Sequence, residues 1–199
     1  MDTISLEHFI YEKLKNELPN NLYYHSIHHV EDVLAAAIEI AGNEAVTEYQ
    51  LQLIKVAVLF HDSGFTKGAI DHEISGCDIA WEILPNYGFS ANQIQSICAM
   101  IMATKIPQTP INLMEEIICD ADLDYLGRDD YDSISNNLFK EISMYRFMDE
   151  IDWLRLQVKF LEAHRYFTKT AIRLRKEHKD KKLSELKIKL ITLTTRANR

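Results

Sequence analysis

The chain has 199 residues, 47% hydrophobic and 26% charged, enough apolar surface for one sizeable core in a single domain spanning residues 1–199 and too much for general disorder. Six glycines and four prolines fall below half the ordinary usage of about 12%, which excludes an all-β fold rich in tight turns and favours long helices. The net charge of −8 is unevenly spread, because Arg155 to Arg199 hold 14 Lys/Arg against 4 Asp/Glu and the preceding residues hold 8 against 26.

Helical periodicity runs through the whole sequence. A first helix over about Ser5 to Leu18 places Leu6, Phe9, Ile10, Leu14 and Leu18 at 3–4 spacing and stops before Pro19. A second, from about His25 to Ala41, closes at Gly42-Asn43. Thr47 and Gln50 form a capping box opening a third, whose run Leu51 to Phe60 is apolar on most sides. His61-Asp62-Ser63-Gly64 follows, then a loop to Ile70. Asp71 is a candidate N-cap for a fourth helix that Pro85 ends. Ser90 with Gln93, and Asn112 with Glu115, mark two more starts. Tyr131 to about Arg175 reads as two long amphipathic helices, and a charged helix or tail finishes the chain. Trp81, Trp153 and the tyrosines sit at helical spacing among aliphatics and read as core. The fold class is all-α.

Three cysteines are too few for a disulfide framework, so a reducing, cytoplasmic setting is expected. The mixed, acidic start of the chain is unlike a signal peptide, and no apolar run approaches the ~20 residues of a membrane span. The acidic whole makes nucleic acid a poor partner. The basic stretch either lies on the acidic body or borders a site for a phosphorylated ligand.

Ionisable side chains inside apolar patterns mark the chemistry. On a helix, His25 and His29 share one face and His28 points about 100° away to the surface. His61-Asp62 closes a nearly uniform apolar run, where a charged aspartate must be paired, hydrogen-bonded or bound to metal, since a bare buried charge costs several kcal/mol. Further on, Glu116, Asp120 and Asp124 form one stripe on the helical wheel, expected to face solvent. Asp122 falls among Ile118, Cys119, Tyr125 and Leu126 and needs an inward partner.

The series Tyr24-His25-Ser26-Ile27-His28-His29, then His61-Asp62-Ser63-Gly64, then Asp120-Ala121-Asp122-Leu123 resembles the HD-domain superfamily of metal-dependent phosphohydrolases. The likeness spans about Tyr24 to Leu126. Two continuations, Leu126 to Tyr131 and His164 to Thr170, resemble the subset known as predicted HD phosphohydrolases. The resemblance implies a helical HD-type domain with metal ligands His29, His61, Asp62 and Asp122. It implies one divalent ion, Mn²⁺, Fe²⁺, Zn²⁺ or Mg²⁺, and hydrolysis of a phosphate ester of a nucleotide or related small molecule by metal-activated water. Asp62 then serves both binding and catalysis. His25 either donates a proton to the leaving oxygen or hydrogen-bonds a ligand carboxylate.

His72 lies where two-metal relatives place a histidine for a second ion. Ile101 to Lys105 carries none of the further histidines those proteins have, so His72 is expected to line the pocket or contact phosphate. Lys67, between Gly64 and Gly68, is a candidate phosphate contact. Lys105, Arg128, Arg165 and Lys169 are others, with Arg165, Lys169 and Arg173 drawn as one i, i+4 row. Two rival readings remain, a cyclic or linear nucleotide phosphodiesterase and a non-catalytic sensor of metal and nucleotide. A di-iron oxygenase, a remote third reading, needs more histidines than this pocket supplies.

Overall fold

A computed structural model describes residues 1–197; Asn198 and Arg199, the end of the basic stretch, lie outside the described residues. The helices are α1 (Thr3–Glu17), α2 (Ile27–Gly42), α3 (Glu48–Phe60), α4 (His72–Ile83), α5 (Ala91–Ala103), α6 (Leu113–Asp122), α7 (Tyr131–Ser143), α8 (Glu150–Ala163) and α9 (Lys169–Ala197). No strand occurs among the described residues, and none of their helices is long and apolar enough to cross a membrane.

Local sequence explains most boundaries. The Thr47 N–H donates to Gln50 Oε1 at 2.8 Å and the Gln50 N–H to Thr47 Oγ1 at 3.2 Å, which satisfies donors that the first turn of α3 leaves free. Asn112 accepts from the Met114 and Glu115 N–H groups at 3.1 and 3.2 Å and starts α6. At Pro85 the fourth helix gives way to a short 3₁₀ turn, Leu84–Tyr87.

Packing follows apolar content. From Leu53 to Phe60 only Lys55 is not buried, so α3 runs through the middle of α1, α2, α5 and α6. Ile10, Ala37, Ile54, Phe60, Ile97 and Ile118 belong to this core. A second cluster, with Tyr24, Leu126, Tyr131, Leu154, Leu161 and Leu186, joins α7, α8 and α9 to it. Between the two, Gly127 lets α9 approach, because a Cβ there would sit 2.4 Å from the Arg175 carbonyl oxygen.

Several sequence expectations are corrected. The second helix begins at Ile27, so His25 precedes it and does not share a helical face with His29. Asp71 occupies the N-cap position in a left-handed conformation, φ 51°, and makes no capping bond; its carboxylate pairs with Lys105 at 2.6 Å. Trp81 is 46% exposed, and Tyr23, Tyr49 and Tyr145 are exposed as well: Tyr49 sits in the first turn of α3, and Tyr23 and Tyr145 lie outside the helices.

The acidic stripe is also corrected, for Asp120 and Asp124 are both buried. Helix α6 ends at Asp122, so the helical wheel does not extend to Asp124, which accepts from Arg175 Nε at 2.7 Å in the following turn. Asp120 faces the segment 164–168 and accepts the N–H groups of Phe167 and Thr168 at 2.9 and 2.7 Å.

That segment is not helical, so the expected row of Arg165, Lys169 and Arg173 does not form on one helix. Besides the Asp120 bonds, buried Lys179 donates to the carbonyl oxygens of Leu161 and His164 at 3.4 and 2.5 Å. It thereby satisfies acceptors that the C-terminus of α8 leaves free.

Two predictions concern this junction. Asp120→Ala leaves the Phe167 and Thr168 N–H groups without an acceptor and should lower unfolding free energy by about 2–4 kcal/mol, read from urea midpoints, whereas a solvated carboxylate would be silent. His164 provides the second. Burial, then nearby Lys179, push its pKa down to about 3, below an unfolded value near 6.5. Between those values the unfolded chain binds the extra proton, so this contribution to stability is complete above pH 6.5 and is lost as pH falls towards 3. At full slope the loss is about 1.4 kcal/mol per pH unit. His164→Gln should flatten the fall in urea midpoint across that window.

Candidate metal centre

Four residues from three helices meet where the buried α3 ends. His29 comes from the first turn of α2, His61-Asp62 follows Phe60 directly, and Asp122 closes α6. Beyond the doublet, a 3₁₀ turn, Ser63–Thr66, reverses the chain, and Ser63 Oγ donates to the Phe60 carbonyl at 2.7 Å. Gly64 is required there because a Cβ would lie 1.9 Å from the His72 carbonyl oxygen. This contact seats the start of α4 against the doublet, with His72 Nε2 3.5 Å from Asp62 Oδ1.

Distances at the centre are short. One ligand atom from each of His29, His61 and Asp122 lies within 4.8 Å of the others. His29 Nε2 is 3.1 Å from Asp122 Oδ1 and 3.4 Å from His61 Nε2. Asp62 Oδ2 is 3.2 Å from His61 Nε2 and 3.5 Å from His29 Nε2, yet it is buried and has no hydrogen-bond partner.

His61 Nδ1 donates to the Val58 carbonyl at 2.8 Å, which turns Nε2 towards the carboxylates. Two imidazole nitrogens and two carboxylates crowded in this way, with one oxygen unpartnered, fit a divalent cation in both charge and donor type. Burial alone would depress the His61 pKa, but the Asp62 and Asp122 carboxylates outweigh it and push the group up to about 9. Burial would likewise raise Asp62, and the imidazoles of His61, His25 and His29 hold it well below the carboxylate range instead.

His25 lines the same cavity as Asp62 and Asp122. Its Nδ1 is hydrogen-bonded to Glu141 Oε1, while Glu141 Oε2 accepts the Tyr24 and His25 N–H groups at 2.9 and 3.1 Å. The partner of His25 is therefore a carboxylate of α7 and not one of the four candidate ligands. The ring stacks on Phe65 at 4.1 Å. Burial opposes its charge, but the Glu141 bond and the Asp62 carboxylate more than compensate and raise its pKa.

The remaining sequence candidates divide. His72 lines the cavity, whereas Lys67 is exposed in its loop and does not. Arg128 is held by Asp32 at 2.9 Å and Asp130 at 2.5 Å and is not among the residues that line the cavity. Arg165 lies over the Phe167 ring at 5.5 Å, and Lys169 is exposed at the start of α9. His28 is exposed.

Two buried acids, Glu141 and Glu73, are additions to the sequence reading. Glu141 was visible in principle, for it stands three residues after Leu138 and seven after Ile134, on the apolar stripe of α7. Glu73 lines the cavity, 3.5 Å from His72 Nε2. No comparable sequence signal marks it.

No protein-family model and no curated protein matches the sequence. Two solved structures do. A predicted HD superfamily hydrolase from an uncultured Thermotogales bacterium is 25% identical, superposes with a TM-score of 0.59, and the match covers 96% of this chain and 91% of that one. A protein from Lactobacillus plantarum is 17% identical with a TM-score of 0.67, covering 96% and 100%. The likeness extends over almost the whole of each chain, including helices beyond Leu126 that the sequence motifs do not reach. The bundle is thus the fold of the HD superfamily.

Proposed function

We propose that the protein is a metal-dependent phosphohydrolase acting on a small phosphate ester. The observation that carries this reading is the convergence of His29, His61 and Asp122 ligand atoms around the buried, unpartnered Asp62 Oδ2. The likeness to a predicted HD superfamily hydrolase supports it. His29, His61, Asp62 and Asp122 would hold one divalent ion. Such an ion supplies Lewis acidity and lowers the pKa of water towards neutrality.

The chain's own residues do the rest. Glu141 fixes the His25 ring orientation through its bond to Nδ1 and favours the protonated imidazole, leaving Nε2 to give a proton to the departing ester oxygen. Asp62 lies beside the His61 Nε2 atom and Asp122 beside the His29 Nε2 atom, which orients the two imidazoles. Phe65 packs on one face of His25 and excludes water from it. His72 lies next to Asp62, where it can contact a phosphoryl oxygen.

Purified protein dialysed against Mn²⁺ should retain about one ion per chain and hydrolyse phenyl phosphate. Asp62→Ala should lose both the ion and the turnover while circular dichroism still reports a helical fold. Asp122→Asn should weaken metal retention by at least tenfold. His25→Ala should keep the ion and lose about 10²–10⁴ in kcat. Glu141→Gln should lower kcat with little change in KM or metal content, as expected of a residue that positions another. Equal metal content in wild type and Asp62→Ala would overturn the ligand assignment.

A further inference from the structure

The charged side chains of the cavity beside the metal centre are gathered at one end. Its volume is about 260 Å³, and it runs from Asp62 and Asp122 into a slot between α7 and α8. The walls there are Leu138, Ile142, Trp153, Leu156 and Phe160, with Leu126 at the base. The polar groups deep in the slot satisfy one another, since Gln157 Nε2 donates to Tyr131 Oη at 2.9 Å and to Ser135 Oγ at 2.6 Å.

No lysine or arginine is among the lining residues. The metal end instead carries three carboxylates, Asp62, Glu73 and Asp122, with the imidazoles of His25 and His72. The cations that the sequence suggested as phosphate contacts all lie elsewhere. A polyphosphate brought here would set several negative charges against those carboxylates with one ion and two imidazoles to offset them. A single phosphate would not. For scale, an apolar cavity of roughly 150 Å³ binds benzene, so the slot can take one aromatic ring or a short alkyl chain.

The geometry points to a substrate class: resting on the phosphohydrolase reading, we infer that the slot binds the apolar part of a monophosphate ester, one ring or a short alkyl chain, with the phosphate at the metal end. Burial of that group supplies affinity, and the metal centre supplies orientation. Nucleoside polyphosphates are disfavoured by charge.

Calorimetric titration of Mn²⁺-loaded protein with methyl-, butyl-, hexyl- and benzylphosphonate tests this directly. Affinity should rise about threefold per added methylene up to hexyl, with a negative heat-capacity change, and benzylphosphonate should bind more tightly than adenosine triphosphate. Leu156→Trp, which fills the slot, should abolish the dependence on chain length with metal content at the wild-type level. Leu156→Ala, which enlarges it, should extend the dependence to longer chains. Equal affinities for methyl- and hexylphosphonate, with phenyl phosphate still hydrolysed, would overturn the slot assignment and leave the phosphohydrolase reading intact. Tighter binding of adenosine triphosphate than of hexylphosphonate would overturn it too. Failure to bind any phosphonate or to hydrolyse phenyl phosphate would remove the phosphohydrolase reading and the slot with it.

Discussion

Burying the Asp62 carboxylate at the end of a helix that is apolar on nearly every side is the constraint from which the site's architecture follows. A buried charge costs several kcal/mol unless opposite charge compensates it. His61 beside it supplies the largest share of that compensation, while α2 brings His29 and the start of α4 brings His72 within 3.5 Å of the same carboxylate. Asp122 then adds a second carboxylate and raises the demand for a cation. The close contact at Gly64 serves the same end, because any side chain there would push α4 away from the doublet.

The helices beyond Leu126 help to build the cavity. Glu141 of α7 holds His25 by its ring and by its backbone, and α8 supplies one wall of the slot. These elements stay in place through a second set of buried polar contacts. Asp120 ties the segment 164–168 to α6, Lys179 closes α8, and Arg175 bridges Asp124 and Glu39. The basic end of the chain thus supplies cations to the acidic body. Those contacts occupy Arg175 and Lys179, and no lysine or arginine is among the residues that line the cavity.

Charge distribution within the cavity carries information about what it accepts. Carboxylates concentrated at one end favour a metal ion and a ligand of low charge there. Aliphatic and aromatic walls at the other end favour a group that gains by leaving water. The two ends together describe one ligand shape, polar and anionic at its head and apolar along its length.

The sequence by itself determined the fold class, most helix positions and the inward demand at His61-Asp62 and Asp122. Those follow from local rules: apolar spacing, capping residues and the cost of burying charge are all written within a few positions of one another. It misplaced Asp120 and Asp124 because a helical wheel assumes that the helix continues and that its polar stripe meets solvent. In fact α6 stops at Asp122, and its acidic face meets the segment 164–168. It read 164–170 as helix because the break there is imposed by bonds to Asp120 and Lys179, which are distant in sequence. Only the tertiary structure decided that Glu141 partners His25 across more than a hundred residues, that the expected phosphate contacts Lys67, Arg128, Arg165 and Lys169 lie off the cavity, and that an apolar slot adjoins the cluster of His29, His61, Asp62 and Asp122. Each of these depends on how helices pack against one another, and local spacing does not encode that.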